Sequence, residues 1–477
     1  MPKIERAWSN FQLSIFDNVR SGQGHTVVNA LAGSGKTTAL IEAIKHIPKK
    51  NKILMIAFNR NIAAELRERA PSYIDVFTSH SFGLSTIRKR LSKDAAVDPN
   101  KTLNLTRLYL QSKKIKTTEA LVFSLTRAIS LCKSYLIDTP SKIDVLLDQF
   151  SIDIINVDRK EFIKIICAIL RQCKETAKKV LDFDDLLYIP FVYNLQPDKW
   201  TRILVDEIQD FAISQTELIL KAIEPGGRVL AVGDANQSLY SWRGADADSM
   251  SKLTTTLNAK VLTLPISYRC AKSIIKLAQE IVPDIQTAPN AKEGLVKTIS
   301  EKDMYDKVAA GDFIISRTNA PLIKIALKLL NEGRPANILG RDISLSLKWI
   351  INQSEKTNVK DFLVWLVAYK EKEIARLKEN NRKPQVFIDK IACLENLCEG
   401  AKTIDQVKDN LSDLFKQDEK DNQEHIICLT TVHRSKGLER KRVFLIEKSF
   451  TMEPSQEELN VRYVSITRAK EELYLVE

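Results

Sequence analysis

The sequence predicts an α/β fold made of two parallel-sheet cores, each carrying a mainly helical insertion. Three observations carry that expectation. Short continuous apolar runs fall into two sets, at 26–29, 53–58, 202–205 and 228–232, and then at 313–315, 426–429, 443–446 and 473–476. Runs of this kind suit strands buried on both faces under helices. Each set is broken by a long stretch of helical character, and a glycine-bearing loop follows the first run directly. At 477 residues the chain also exceeds what one hydrophobic core supports.

The first core is expected over 1–85 and 182–263, interrupted by a helical insertion at 86–181. There Phe162, Ile165, Ile166, Ile169 and Leu170 repeat at helical spacing. The second core is expected over 264–340 and 425–477. Its insertion, 341–424, includes a charged run from Lys370 to Arg382 that reads as a solvated helix face.

Bulk properties narrow the function. No apolar run approaches the roughly 20 residues that span a bilayer, and the start lacks a secretory apolar stretch, so a cytoplasmic protein without a membrane partner is expected. The seven cysteines are scattered without a tight set of four, which points to free thiols and away from a metal cluster. A formal net charge of +12 favours polyanionic partners.

The chemistry begins at Ala30-Leu31-Ala32-Gly33-Ser34-Gly35-Lys36-Thr37, between a strand and the helix-like Thr38-Ala39-Leu40-Ile41. Glycines here let backbone N–H groups turn inward onto phosphate oxygens, and the helix adds its positive end. Ala32, Gly33, Ser34, Gly35 and Thr38 are therefore expected around a nucleotide. Lys36 suits the β- and γ-phosphates and Thr37 a magnesium ion. Val205-Asp206-Glu207-Ile208-Gln209-Asp210 follows another strand. Asp206 suits the metal, and Glu207 suits activation of the attacking water. ATP and Mg²⁺ are the expected cofactors.

Asp206 to Asp210 resembles motif II of UvrD-like helicases. Gly233-Asp234-Ala235-Asn236-Gln237-Ser238-Leu239-Tyr240-Ser241-Trp242-Arg243-Gly244-Ala245 is similar to motif III. Thr431-Val432-His433-Arg434-Ser435-Lys436-Gly437-Leu438-Glu439 resembles motif V, and Tyr463-Val464-Ser465-Ile466-Thr467-Arg468-Ala469-Lys470 resembles motif VI. The chain is thus identified as similar to superfamily 1 helicases of the UvrD/PcrA/Rep group. Ala57-Phe58-Asn59-Arg60 and Thr78-Ser79-His80-Ser81-Phe82 place it near the F-box DNA helicases, without an F-box.

The resemblance implies two RecA-like P-loop NTPase cores and ATP-driven movement along single-stranded DNA, with tailed duplex as a further substrate. It implies that Gln12 reads adenine, Tyr268 stacks on it, Glu439 contacts the ribose, and Arg269 and Arg468 reach the γ-phosphate. By the same resemblance Gln237 is expected to sense that phosphate, and Phe58, His80, Tyr240, Trp242, Arg243 and His433 to contact the strand. The forms of motifs III and V match the 3′→5′ branch, in repair, recombination, replication or a mobile-element setting. A translocase that strips proteins but barely unwinds stays open, as do a nucleic-acid-binding subunit and an RNA substrate. The second insertion is shorter than in full family versions, which leaves room for a loading or regulatory protein partner. No nuclease domain or interaction tail is expected after Glu477.

Overall fold

The computed structural model describes residues 7–58, 60–150, 152–239, 249–379, 384–415, 425–451 and 455–477. Two units divide between Pro265 and Ile266.

The first unit is built on a six-stranded sheet in which every pairing is parallel. Its spatial order is Asp75–Thr78, Ile53–Ala57, Trp200–Val205, Ile223–Gly233, Thr26–Ala30, Lys260–Leu264. Alternation along one strand shows why its sequence is apolar throughout. Ile53, Met55 and Ala57 join the cluster under helices Asn10–Ser21 and Lys36–Lys45, whereas Leu54 and Ile56 face Phe82, Phe211 and Leu218 on the other side. With both faces covered, no position is left for a polar side chain.

Helices Lys101–Ser112, Glu119–Tyr135, Pro140–Gln149 and Arg159–Glu175 form a body with its own apolar cluster between the strands at 78 and 200. Asp158 starts the last of them by accepting a hydrogen bond from the Glu161 N–H at 2.9 Å. That helix buries the expected stripe, from Phe162 to Leu170, together with Cys173.

Below this cluster lies a buried ionic group that the pattern of residues did not announce. Lys133 Nζ stands 2.7 Å from Asp182 and 2.8 Å from Asp185, while Lys101 Nζ stands 2.6 Å from Asp185. Burial disfavours the Lys133 charge, but Asp185 and Asp182 prevail and raise its pKa above the ordinary lysine range. Cys173, Asp182 and Asp185 are close enough to hold a cation, and two ammonium groups already neutralise them. Lys133→Met leaves Asp182 without an ammonium partner in an apolar interior, while Asp185 keeps Lys101. It is expected to cost about 3–5 kcal/mol in denaturant unfolding, whereas a loss under about 1 kcal/mol would mean the cluster behaves as a surface pair.

The second unit repeats the plan. Its parallel sheet runs Leu295–Ile299, Ala469–Val476, Arg440–Ile446, Phe313–Ser316, Ile427–Thr431, Ala336–Ile338. Helices Arg341–Gln353, Val359–Glu379, Gln385–Cys398 and Ile404–Leu414 leave after the strand at 336 and return before the strand at 427. They share one apolar cluster with the sheet: Leu347, Phe362, Leu394 and Val407 join Ile314, Leu322 and Phe444. Asp389 reinforces the union by accepting from the backbone N–H groups of Asn319 and Ala320, at 3.0 and 2.9 Å, at the start of helix Ala320–Asn331. A carboxylate at that helix end also meets the positive end of its dipole.

All seven cysteines are free thiols, six of them buried. Among the described residues, no single helix is long and apolar enough to cross a membrane.

Candidate functional site

In a parallel sheet the loops that can hold a ligand gather at the C-terminal ends of the strands. In the first unit, strand Thr26–Ala30 runs into the glycine loop and then helix Lys36–Lys45. Gly33 and Gly35 have φ of +74° and +79°, a region glycine enters without strain. Ser34 Oγ is buried there with no hydrogen-bond partner among the described residues, as suits a loop shaped to meet an anion. Gln12 lies alongside. Its amide accepts from the Ser9 N–H at 3.1 Å, and a Cβ added to Gly35 would stand 3.9 Å from its Nε2. Thr38 instead accepts a hydrogen bond from Arg69 at 3.4 Å.

Strand Trp200–Val205 delivers the acidic pair. Asp206 is fully buried, and Thr37 Oγ1 donates to its Oδ2 at 2.8 Å. Burial, and then the charge of Glu207, push the Asp206 carboxyl up to about 7. Near neutral pH such a carboxyl is partly protonated, and a bound cation would displace that proton. Glu207 occupies a left-handed conformation at φ +54°, and its Oε1 stands 3.8 Å from Lys36 Nζ. A non-glycine residue held there is strained by roughly 1–3 kcal/mol, a cost that its surroundings must offset.

Those surroundings form a wire of hydrogen bonds. Gln209 Nε2 donates to Glu207 Oε2, while Gln209 Oε1 accepts the Asp234 N–H at 3.0 Å. Asp234, buried and with its carboxyl raised by that burial, accepts from Gln237 Nε2 at 2.7 Å. Gly233 makes the crossing possible, since a Cβ there would fall 2.5 Å from Gln209 Oε1. The acidic pair and the expected phosphate-sensing glutamine are therefore joined through Gln209 and Asp234, neither of which the sequence reading assigned a role. Gln209→Leu is expected to lower ATP turnover about tenfold while sparing nucleotide affinity, the cost of roughly one charge-assisted hydrogen bond. Equal losses in both would place Gln209 in binding.

Phe58 and His80 lie on the same edge of the sheet. Ala57 pairs with Thr78, and the Asp206 N–H bonds to Ile56 O at 3.1 Å. Phe58 is half-buried against the apolar cluster. Burial, and then the charge of Arg60, hold His80 below the usual histidine value, so the ring stays neutral at pH 7. Tyr240, Trp242 and Arg243 lie outside the described residues.

The other expected groups belong to the second unit. Tyr268 is 48 % exposed just after strand Ile266–Ser267, free to present its face. Arg269 is ion-paired to Glu439, whose other oxygen stands 2.7 Å from Lys470. Burial opposes the Glu439 charge, but Arg269 and Lys470 hold its carboxyl below the usual range. Glu439 therefore orients Arg269. Arg468 is 1 % exposed and donates to the carbonyls of Val464 and Leu438, at 2.9 and 3.2 Å. His433 is half-buried on helix Val432–Ser435, after strand Ile427–Thr431.

Residues 13–258 match the UvrD/REP helicase N-terminal domain, and residues 427–476 match the UvrD-like helicase C-terminal domain. The chain is 25% identical to the ATP-dependent DNA helicase Rep of Buchnera aphidicola subsp. Acyrthosiphon pisum, covering 94% of this chain and 92% of that protein. It is 27% identical to F-box DNA helicase protein 1 of Schizosaccharomyces pombe, with 94% of this chain and 55% of that protein covered. It is 25% identical to a probable DNA helicase II homolog of Mycoplasma genitalium, with 72% and 50% covered. The chain thus spans about half the length of the last two. With the first match alone covering more than half of its residues, the chain belongs to the UvrD/REP helicase family.

Proposed function

We propose that the chain is an ATP-dependent 3′→5′ translocase and helicase acting on single-stranded and tailed duplex DNA in the cytosol. The observation that carries this reading is the continuous path Lys36–Glu207–Gln209–Asp234–Gln237. A protein that only binds nucleotide has no use for a carboxylate held in strain beside the phosphate loop and wired to the segment leading towards Trp242.

The residues divide the work. The loop from Ala32 to Lys36 holds the phosphates, and Gln12 and Tyr268 hold the base. Glu207 accepts the proton of the attacking water, with Gln209 fixing its carboxylate. Arg269 and Arg468 neutralise charge that grows on the γ-phosphoryl group. Thr37 Oγ1 and Asp206, two hard oxygen donors already in contact, fit magnesium and would hold it. When bound, that ion neutralises phosphate charge. Phe58, His80, Tyr240, Trp242, Arg243 and His433 grip the strand by stacking and polar contact, which tolerates any base.

A translocase that clears proteins but unwinds little is a second reading, favoured by the way the second insertion shares the apolar cluster of its core. ATP turnover with and without oligo(dT), then unwinding of 3′- and 5′-tailed duplexes, tests both. Strong stimulation with unwinding from the 3′ tail is expected. Turnover indifferent to DNA refutes the motor, and stimulation without unwinding selects the second reading.

A further inference from the structure

The second insertion leaves its sheet at an unusual point. Gly340 follows strand Ala336–Ile338 and caps helix Arg341–Gln353 with φ +139° and ψ 90°. Side-chain-bearing residues rarely adopt that backbone. The space a Cβ would take is filled by the guanidinium of Arg434, with Nη1 1.3 Å and Cζ 2.2 Å from where that carbon would lie. Arg434 Nη1 also donates to the Leu339 carbonyl at 3.0 Å. The guanidinium therefore fills the space beside the backbone where the chain turns out of the sheet.

Arg434 itself sits on the four-residue helix Val432–Ser435, next to His433. That helix continues the strand Ile427–Thr431 by which the insertion returns, and this strand pairs with the strand the insertion leaves from, Ile338 against Leu429. The Leu339 N–H bonds Leu429 O at 2.9 Å, so the neighbouring peptide is held by the sheet. Gly340 is then the swivel, and Arg434 fixes it. The far side of the insertion is held separately, through Asp389 and through Asn396, whose side chain donates to Ala320 O at 2.8 Å.

We propose that Arg434 is a positioning residue that couples the His433 helix to the first helix of the second insertion. A strand engaging His433 displaces the short helix, and Arg434 carries that displacement to Gly340 and helix Arg341–Gln353. A planar five-donor fork suits this task, since it meets the carbonyl and packs over the glycine at once. The inference rests on the DNA-motor reading for what engages His433.

The test is hydrogen–deuterium exchange of the full chain, with and without oligo(dT), read at residues 341–353. In the wild type, oligo(dT) is expected to change exchange in this helix. In Arg434→Ala and in Gly340→Ala, which expels the guanidinium from the other side, the change is expected to fall at least about fivefold, the low end of site-to-site coupling. Affinity for oligo(dT) and the melting temperature are expected to hold for Arg434→Ala, and Arg434→Lys, which keeps the charge but not the fork, is expected to behave like Arg434→Ala. An undiminished DNA-dependent change in Arg434→Ala overturns the coupling, as does a wild type that binds oligo(dT) with no change at 341–353. A wild type that neither binds oligo(dT) nor hydrolyses ATP faster with it overturns the motor reading itself.

Discussion

Glu207→Gln is expected to lower DNA-stimulated ATP turnover by about 10²–10⁴-fold, the range for loss of a general base. The replacement keeps the shape and the contact with Gln209 but removes the proton acceptor beside Lys36. Nucleotide affinity is expected to survive, because the phosphate loop and the Thr37–Asp206 contact are untouched. A second signature separates this from misfolding. Glu207 is the largest charge acting to raise Asp206, so its neutralisation lets that carboxyl fall from about 7. Below pH 7 the wild type must release a proton for a cation to bind, whereas the variant releases less. Magnesium-dependent nucleotide binding is thus expected to weaken less between pH 7.5 and about 6 in the variant than in the wild type. Turnover within about threefold of wild type would remove Glu207 from the chemistry.

Arg468→Ala is expected to lose about 10³–10⁵ in turnover if the residue acts as an arginine finger. It is also expected to lower stability, because this guanidinium is 1 % exposed and serves the carbonyls of Val464 and Leu438. Val464 O keeps the Thr467 hydroxyl at 3.1 Å, so the cost falls on Leu438 O, where a carbonyl left unpaired costs roughly 1–3 kcal/mol. Arg269→Ala provides the contrast. Arg269 is partly exposed and its partner Glu439 keeps Lys470, so turnover is expected to fall with little change in melting temperature. The readout is turnover per folded molecule beside a thermal melt. A lower melting temperature for Arg468→Ala with normal turnover per folded molecule would make that arginine a framework residue.

Long strands buried on both faces were legible, because Ile53 to Ala57 or Val443 to Ile446 leave no room for polar residues, whereas Ala336–Ile338, buried throughout but three residues long with Asn337 at its centre, was not. The edge strands Asp75–Thr78 and Lys260–Leu264 were not, since each keeps exposed or half-exposed positions and lacks a continuous apolar run. The stripe in helix Arg159–Glu175 was plain because Phe162, Ile165, Ile166, Ile169 and Leu170 recur at helical spacing and are all buried on one face. Lys101 and Lys133, by contrast, look like surface lysines in sequence. Only folding brings them to Asp182 and Asp185, some fifty or more positions away. The phosphate loop and acidic pair were readable because their chemistry is local. Gln209 and Asp234 were visible as letters of their motifs, but their connection depends on two strand ends lying side by side and on the missing side chain of Gly233.

The position of strand Ala469–Val476 has a consequence for synthesis. It lies between Leu295–Ile299 and Arg440–Ile446, so the second sheet stays divided until residue 476 has left the ribosome. The first sheet needs nothing beyond residue 264. At typical elongation rates the two completions are separated by on the order of tens of seconds. Within that interval Ile314 emerges early and Phe444 and Leu445 near its end, each an apolar side chain that only the completed unit buries, and such surface favours the attention of a ribosome-bound chaperone.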